Sequence, residues 1–254
     1  MSRCIAVANQ KGGVGKTTVT INLAAALSSA GKRILVIDAD PQGNTTSGFG
    51  VDKNAQEHTV YELLLGEADA DAVISRLEES GVDLIPANVD LAAAEIELID
   101  VDGKEYRLKN AVEPVKDRYD FILIDCPPSL SMLTINAMTT ADTVLVPIQC
   151  EYYALEGLSQ LVKTVDLVRE RLNPALEMEG VVFTMYDART RLSAQVVDNV
   201  RDHIREHVFK TIIPRNIRLA EAPSYGRPIN LYEPKSAGTE AFRLLAEEVM
   251  ERAI

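Results

Sequence analysis

Short apolar runs alternate with amphipathic segments along most of the chain, and this alternation predicts its secondary structure. The apolar runs predict strands at Cys4–Ala8, Arg33–Ile37, Val82–Ile85, Phe121–Ile124, Thr143–Ile148, Gly180–Met185 and Lys210–Ile213. Apolar residues at helical spacing predict helices at Lys16–Ser29, Leu91–Leu98, Leu108–Asp117, Met132–Thr140, Leu155–Leu172, Ala194–His207 and Thr239–Glu251. This order indicates an α/β fold with a doubly wound, mostly parallel sheet flanked by helices.

The segment Val51–Val89 interrupts this alternation. It is acidic, and its short periodic pieces predict helices at Val60–Leu65 and Ala70–Leu77. The chain length of 254 residues suits one large α/β domain. We therefore expect a single domain over residues 1–254, with an acidic insertion at about residues 51–89.

The turn between the first predicted strand and the first predicted helix is rich in glycine and carries two lysines. It nearly matches the phosphate-loop pattern G-x-x-x-x-G-K-[ST] and departs only at the first glycine, where the chain has Gln10. A helix that begins at such a turn directs free N–H groups and its positive dipole end at an anion. We expect the following residues to contact a nucleotide: Lys11, Gly12, Gly13, Val14, Gly15, Lys16, Thr17 and Thr18.

Two side chains of this loop have expected roles from its chemistry alone. Lys16 would reach the β- and γ-phosphates, and the hydroxyl of Thr17 would ligate Mg²⁺. Lys11 is then a second lysine that this pocket does not need. A solvated surface charge is its ordinary alternative.

Aspartates follow two other predicted strands at their carboxyl ends, where α/β sheets bind ligands. Asp40 directly precedes a proline, which favours an extended backbone and suits a carboxylate that orients a water or supports a metal. Asp38 remains open between such a role and that of a turn-forming residue. Asp125 ends the run Phe121–Ile124, the pattern of a Walker B strand, and is expected to support Mg²⁺ through a water.

Composition fits a globular protein with a large core. Hydrophobic residues make up 46% of the chain and charged residues 25%, and no run of roughly eighteen apolar residues predicts a membrane span. Cys4, Cys126 and Cys150 form no C-x-x-C pair, so the sequence indicates neither a disulfide framework nor a cysteine metal site. A reducing cytoplasm is the expected compartment.

Charge is unevenly distributed along the chain. The formal net charge of −12 disfavours a surface that is basic throughout. The region Val51–Glu113 contains 16 acidic and five basic residues, whereas Asp187–Lys235 contains nine Lys or Arg and six acids. A local basic face is therefore compatible with an acidic chain.

The loop KGGVGKTT resembles the deviant Walker A motif, and longer blocks resemble the chromosomal ParA/Soj family. These blocks are VIDADPQGNTTSGFG at 36–50, LIPANVDLAAAEIEL at 84–98, FILIDCPPSLSMLTINAM at 121–138, PIQCEYYALEGLSQL at 147–161, FTMYDART at 183–190 and IIPRNIRLAEAPSYGRPI at 212–229. The resemblance implies a slow, Mg²⁺-dependent ATPase that forms an ATP-bound sandwich homodimer. It further implies DNA binding without sequence preference, stimulation by a ParB/Spo0J-type centromere-binding protein, and a cytoplasmic, nucleoid-associated location.

The same resemblance implies roles for individual residues of the nucleotide pocket. Lys16 and Thr17 match residues that bind phosphate and Mg²⁺, and Lys11 matches the lysine that reaches the nucleotide of a partner chain. Asp40 matches the residue that positions the attacking water, and Asp125 matches the Walker B acid.

Outside the phosphate loop, the resemblance implies two further pairs of contacts. Pro214 and Asn216 match residues that pack on adenine and hydrogen bond to it. Arg189 and Arg218 match arginines that grip DNA, and both lie in the basic region. Neither has an aromatic neighbour in sequence for base stacking, which favours phosphate contacts.

Other functions share parts of this pattern. A MinD-like membrane-cycling division-site regulator has the same two-lysine loop but needs a basic amphipathic terminal helix, whereas residues 246–254 are acidic; we expect no membrane binding. An iron–sulfur protein needs grouped thiolates, and Cys126 and Cys150 lack the C-x-x-C spacing that would supply them. A metabolic phosphoryl-transfer enzyme would need a small-molecule pocket, for which the acidic segment gives no sequence signal.

Overall fold

A computed structural model describes residues 2–151, 154–204 and 207–252, and an eight-stranded sheet forms its centre. The strands are β1 Arg3–Val7, β2 Ile34–Asp38, β3 Ser75–Leu77, β4 Val82–Ile85, β5 Phe121–Asp125, β6 Thr143–Gln149, β7 Glu177–Tyr186 and β8 Val208–Pro214. Their order in the sheet is β3-β4-β2-β5-β1-β6-β7-β8. Neighbouring strands are parallel except β3 and β4. The carboxyl ends of the parallel strands therefore lie along one edge.

Helices cover both faces of the sheet. They are α1 Lys16–Ser29, α2 Asn44–Gly48, α3 Val60–Leu65, α4 Ala70–Val73, α5 Leu91–Glu97, α6 Arg107–Lys116, α7 Met132–Thr140, α8 Ala154–Arg171, α9 Arg191–Ile204, α10 Ile217–Glu221, α11 Ile229–Tyr232 and α12 Ala237–Glu251. Short 3₁₀ helices occur at Lys104–Tyr106 and Ala222–Tyr225. Among the described helices, none combines the length and the apolar character that crossing a membrane requires.

The central strands are buried on both sides because their side chains alternate between two cores. In β1, Ile5 and Val7 pack into the core that contains α1 and α12. Cys4 and Ala6 pack into the other core, with α3 to α9. A strand that is apolar on both faces appears in the sequence as a continuous hydrophobic run, which explains why such runs predicted the sheet.

The predicted fold class is confirmed, and each predicted strand is present within a few residues of its expected bounds. The long helices are confirmed in the same way, as is the short helix at Val60–Leu65. The helix predicted at Ala194–His207 occurs as α9, and positions 205 and 206 of that prediction lie outside the described residues. The short helices α2, α10 and α11 were not predicted.

The helix predicted over Ala70–Leu77 is wrong in its second half. Helix α4 ends at Val73, and the following residues form β3, which runs antiparallel to β4 at the edge of the sheet. A tight turn causes the difference, because Gly81 has a φ of 65° and its N–H donates to the Leu77 carbonyl oxygen at 2.8 Å. The turn folds the chain back onto Val82, so Leu77 pairs with that residue instead of continuing a helix.

A close contact between two glycines fixes the loop that follows α2 against the loop that precedes α11. Gly226 has a φ of 63°, and a Cβ on this residue would lie 2.5 Å from the Cα of Gly50. We expect Gly226→Ala to lower the free energy of unfolding by about 2 kcal/mol, because the backbone conformation and the contact both exclude a side chain. The measurement is urea denaturation.

Gly157→Ala is the matched control for this prediction. Gly157 lies in α8, and its Cβ would meet no described atom within 4 Å apart from its own helix. Alanine there should be neutral or stabilising by up to about 1 kcal/mol. Equal destabilisation by the two substitutions would contradict the steric argument.

Candidate nucleotide-binding site

The loop at residues 8–15, between β1 and α1, is an open turn that β7 supports. Gly13 and Gly15 have φ values of 74° and 92°, a region that glycine adopts without strain. The hydroxyl of Thr184, in β7, donates to the carbonyl oxygen of Val14 at 2.7 Å. The loop is therefore held in place from the sheet side, and its backbone has the conformation that lets it approach a phosphate.

The start of α1 has the electrostatic features of an anion site. No side chain caps this helix, and its first turn contains no acidic residue. Lys16 stands there instead, where the positive end of the helix dipole disfavours a cation. Burial lowers the pKa of the Lys16 ammonium, and the charge of Asp125 opposes that shift. A phosphate group would satisfy both the free N–H groups and this ammonium, so the loop fits a nucleotide polyphosphate.

Asp125, at the end of β5, accepts hydrogen bonds from threonines on different segments. Its Oδ2 accepts from Thr17 at 2.8 Å and from Thr45 at 2.6 Å, and its Oδ1 accepts from Thr20 at 3.4 Å. The structure thus brings the two predicted Mg²⁺ residues, Thr17 and Asp125, into direct contact. Among the described residues, no group of three or more His, Cys, Asp or Glu is arranged to hold a metal ion. Water and phosphate oxygens would therefore complete a Mg²⁺ shell here.

Asp38 lies beside Asp125 and is completely buried. Its Oδ1 accepts the N–H of Asp40 at 3.2 Å, and its Oδ2 accepts the N–H and the hydroxyl of Thr46 at 2.8 and 2.7 Å. Burial raises the pKa of both buried carboxyls; the charge of Asp125 adds to the shift of Asp38, and Asp40 adds to that of Asp125. The sequence left the role of Asp38 open, and the structure shows it to be a buried anchor of the loop that carries Asp40.

Asp40 lies at the edge of this cluster, 8% exposed. Its Oδ1 accepts the N–H of Gln42 at 2.9 Å, whereas its Oδ2 accepts no hydrogen bond from the described residues. The charge of Asp40 acts on both Lys16 and Asp125, so the structure places it near the phosphate loop as the sequence predicted. Its unengaged oxygen is available to a water. That Asp40 orients the attacking water stays a prediction.

A mostly apolar cavity of about 420 Å³ adjoins the phosphate loop. Its walls include Gly15 and Thr18 from the phosphate loop and α1, and Pro214 and Asn216 from the end of β8 and the residues after it. The Oδ1 of Asn216 accepts an N–H from the first turn of α10, while its Nδ2 hydrogens have no acceptor among the described residues. An apolar slot with free amide donors suits a purine base, as expected for these two residues.

The side chain of Lys11 does not join the Asp125 cluster. Its ammonium forms an ion pair with Glu151 at 2.6 Å, and both side chains are more than 40% exposed. Its backbone carbonyl instead accepts a hydrogen bond from the Lys16 ammonium at 3.3 Å. Lys11 thus belongs to the phosphate loop through its main chain only.

Arg189 and Arg218 lie at the surface beyond the base cavity. Arg189 pairs with Asp187 at 2.7 Å and Arg218 with Glu221 at 2.8 Å. A shallow depression lined by Arg189 also contains Ile217, the residue next to Arg218, so the two arginines share one region of the surface. Each is partly neutralised by a carboxylate of its own segment. DNA binding by these residues stays a prediction.

Several residues of the site escaped sequence reasoning. Thr45 and Thr46 follow the Asp40 turn directly, and their repetition after two aspartates was the available signal. Thr184 and Glu151 had no such signal, because each contacts the phosphate loop from a distant part of the chain.

The buried carboxyl pair should make stability depend on pH. Burial raises the folded-state pKa of Asp38 and Asp125 above the ordinary value of 3.8, so their stabilising contribution is complete below that value and is lost as pH rises towards neutrality. Without nucleotide, the free energy of unfolding should fall by about 1–3 kcal/mol over this range more in the wild type than in Asp38→Asn. Urea titrations from pH 4.5 to 8 measure the difference, and parallel pH profiles would contradict it.

Comparison with known proteins identifies close relatives of this sequence and fold. A family model described as an AAA domain matches residues 2–178. The sporulation initiation inhibitor protein Soj of Bacillus subtilis is 55% identical over 249 residues, which cover 98% of each chain. The chromosome partitioning protein ParA of Myxococcus xanthus is 50% identical over 252 residues, covering 99% of this chain and 89% of that protein.

Solved structures agree with this fold, and one of them contains an ATP analog with magnesium. A structure titled cobyrinic acid a,c-diamide synthase from Mycobacterium smegmatis, with bound ATP analog and magnesium, has a TM-score of 0.86 at 40% identity and covers 97% of this chain and 93% of its own. The cell division ATPase MinD of Pyrococcus furiosus has a TM-score of 0.82 at 30% identity over 100% of both chains. The chain is therefore an ATPase that uses ATP and Mg²⁺, and it belongs to the ParA/Soj family of chromosome-partitioning ATPases.

Proposed function

We propose that this ATPase is a partitioning switch whose ATP-bound homodimer binds DNA without sequence preference. Slow hydrolysis, stimulated by a ParB/Spo0J-type centromere-binding protein, releases the DNA. The main support for this proposal is the position of the Lys11 side chain. Its ammonium is exposed and pairs with Glu151, an ion pair of the kind worth about 1 kcal/mol or less. Since Lys16 already serves the pocket of its own chain, Lys11 is available to the nucleotide of a second copy.

The chemistry we propose assigns one task to each polar side chain. Lys16 neutralises the transferred phosphoryl group, and the free Oδ2 of Asp40 orients the attacking water. Thr17 and the water-linked Asp125 hold Mg²⁺, which when bound neutralises charge between the phosphates. Lys11 of the partner copy adds positive charge at the same phosphates. The base rests between Pro214 and the amide of Asn216.

Dimerisation would convert nucleotide occupancy into DNA affinity. Arg189 and Arg218 are exposed, and each forms an ion pair with a carboxylate of its own segment. In one chain they offer a small number of phosphate contacts, and a dimer doubles that number on one composite surface. This assembly would act in the cytoplasm on the nucleoid, as a single domain over residues 1–254. The continuous sheet supports that domain assignment, because the acidic segment contributes β3 and β4 to it.

Substitution of Asp40 should separate nucleotide binding from turnover. We expect Asp40→Ala to bind ATP, dimerise and stay on DNA, with hydrolysis reduced about 100-fold or more because no carboxylate orients the water. ATP affinity, molar mass by light scattering and phosphate release measure these steps. Loss of ATP binding in this variant would contradict the role of Asp40.

Two lysine variants serve as controls for this separation. Lys16→Ala should fail at nucleotide binding, because it removes the ammonium of its own pocket. Lys11→Ala should bind ATP and remain monomeric, because its ammonium lies outside that pocket. A Lys11→Ala protein that still dimerises with ATP would contradict the proposed switch.

DNA binding should depend on the two arginines through charge. We expect Arg189→Ala and Arg218→Ala each to weaken DNA binding and to reduce the dependence of affinity on salt by about one unit per lost phosphate contact. ATP affinity should not change. Fluorescence titrations at several salt concentrations provide both quantities.

Arg243→Ala is the matched control, because Arg243 is similarly exposed on α12 and pairs with Glu240 and Glu247. It should leave DNA affinity unchanged. An unchanged affinity and salt slope in the Arg189 and Arg218 variants would refute the proposed DNA face.

A further inference from the structure

Met185, near the end of β7, has an unusual backbone conformation. Among the described residues it is the one other than glycine with a positive φ, which is 51°. Residues with long side chains rarely adopt this left-handed region, and they remain in it only where the surrounding structure imposes it. Strained conformations of this kind cluster at functional sites. Met185 is therefore expected to have a task that an ordinary strand residue does not have.

An extra residue in β7 accounts for this conformation. Phe183 pairs with Ile212 of β8. Further along, Tyr186 pairs with Pro214, so three steps along β7 correspond to two steps along β8. Such an insertion is a β-bulge, which interrupts the alternation of side chains along a strand and turns one of them in a new direction. Met185 lies inside this bulge.

The bulge brings Met185 to the base cavity. In a regular strand, alternation would place Met185 on the same side as Phe183. Phe183 belongs to the core with α3 to α9, and Tyr186 packs against that same core. Met185 is not among the described side chains that form or pack against either core. It lines the cavity of about 420 Å³ together with Thr184, so two successive residues of β7 face the same space.

Hydrogen bonds on both sides of Met185 hold the bulge in place. Before it, the hydroxyl of Thr184 donates to the carbonyl oxygen of Val14, in the phosphate loop, at 2.7 Å. After it, the N–H of Arg215 donates to the carbonyl oxygen of Tyr186 at 2.9 Å. The bulge thus contacts the phosphate loop on one side and the segment that follows β8 on the other. Met185 lies between the two ends of the nucleotide site.

We propose that Met185 is a base-contacting residue of this ATPase, an inference that rests on the proposed position of the base between Pro214 and Asn216. Its side chain forms a further wall of the slot, and its polarisable thioether favours contact with an aromatic ring. The bulge fixes this wall before the nucleotide binds, which reduces the entropy lost on binding. Because Thr184 of the same bulge supports the phosphate loop, the contact also sets the position of the base relative to the phosphates.

Calorimetric titrations with ADP and with inorganic pyrophosphate, both with Mg²⁺, test the contact. Neither ligand carries the γ-phosphate, so hydrolysis does not complicate the measurement. Met185→Ala should weaken ADP binding about tenfold and leave pyrophosphate binding unchanged, because pyrophosphate has no base. Met185→Leu conserves the volume of the side chain and should restore most of the affinity for ADP. No change in Met185→Ala, or equal weakening of both ligands, would overturn the inference.

Met178→Ala is the matched control for these titrations. Met178 is also half-buried, but it lies at the other end of β7 and packs against a core. It should bind both ligands as the wild type does.

Glycine and alanine at position 185 separate the backbone strain from the side-chain contact. Both substitutions remove the thioether and should weaken ADP binding, but only glycine adopts a φ of 51° without strain. Met185→Gly should therefore unfold at a higher urea concentration than Met185→Ala. At Met178, where φ is not positive, the alanine variant should be the more stable of the two. The same order at both positions would overturn the role of the bulge.

Asn216→Ala distinguishes failure of this inference from failure of the proposed base site. If the base lies where we propose, this variant should also lose affinity for ADP relative to pyrophosphate. An unchanged ratio of the two affinities in Asn216→Ala contradicts the proposed position of the base. A reduced ratio in Asn216→Ala with an unchanged ratio in Met185→Ala overturns the role of Met185 alone.

Discussion

The burial of Asp38 and Asp125 side by side is the constraint on which the rest of the site depends. The two residues are register partners at the ends of β2 and β5, and neither is more than 1% exposed. A buried carboxyl without hydrogen bonds would cost several kcal/mol, so its donors are structurally required. Those donors come from α1 through Thr17 and from α2, which follows the Asp40 turn, through Thr45 and Thr46. The phosphate loop and the Asp40 turn are therefore positioned by the same pair of carboxyls.

This arrangement also explains why the site requires a cation with its nucleotide. The carboxyls of Asp38, Asp40 and Asp125 are clustered here, and the ammonium of Lys16 interacts with two of them, Asp40 and Asp125. A polyphosphate adds more negative charge to a poorly hydrated region, where like charges repel strongly. Protonation of the buried carboxyls relieves part of this repulsion without ligand, and their raised pKa values reflect that tendency. A divalent cation held near Thr17 and Asp125 would relieve it when the nucleotide is bound.

The sequence predicted those parts of the structure that depend on local pattern. Strand β5 is buried on both faces, so it appears in the sequence as a continuous hydrophobic run that ends in an aspartate. Both the strand and the position of Asp125 at its end could therefore be predicted. The Ala70–Leu77 segment was misjudged because a turn at Gly81, beyond the segment, decides that its end is a strand. The side chains that contact the phosphate loop from elsewhere in the chain could not be predicted from the sequence. Thr184 is 170 residues from Val14, and Glu151 is 140 residues from Lys11. Contacts of this separation are set by sheet order, which a single sequence does not encode locally.

The strength of the ionic contacts differs between the pocket and the surface, and this difference suits a switch. The hydroxyl contacts of Thr20 and Thr45 with Asp125 are buried and cannot be exchanged for water without a large cost. We propose that three cations meet a partner chain or DNA, namely Lys11, Arg189 and Arg218. Each of them instead forms an ion pair with one carboxylate at the surface. Such pairs contribute about 1 kcal/mol or less, so exchanging them for phosphate contacts is nearly neutral in free energy. Nucleotide binding and dimerisation then decide the equilibrium, because the pocket stays fixed while its charged periphery changes partners.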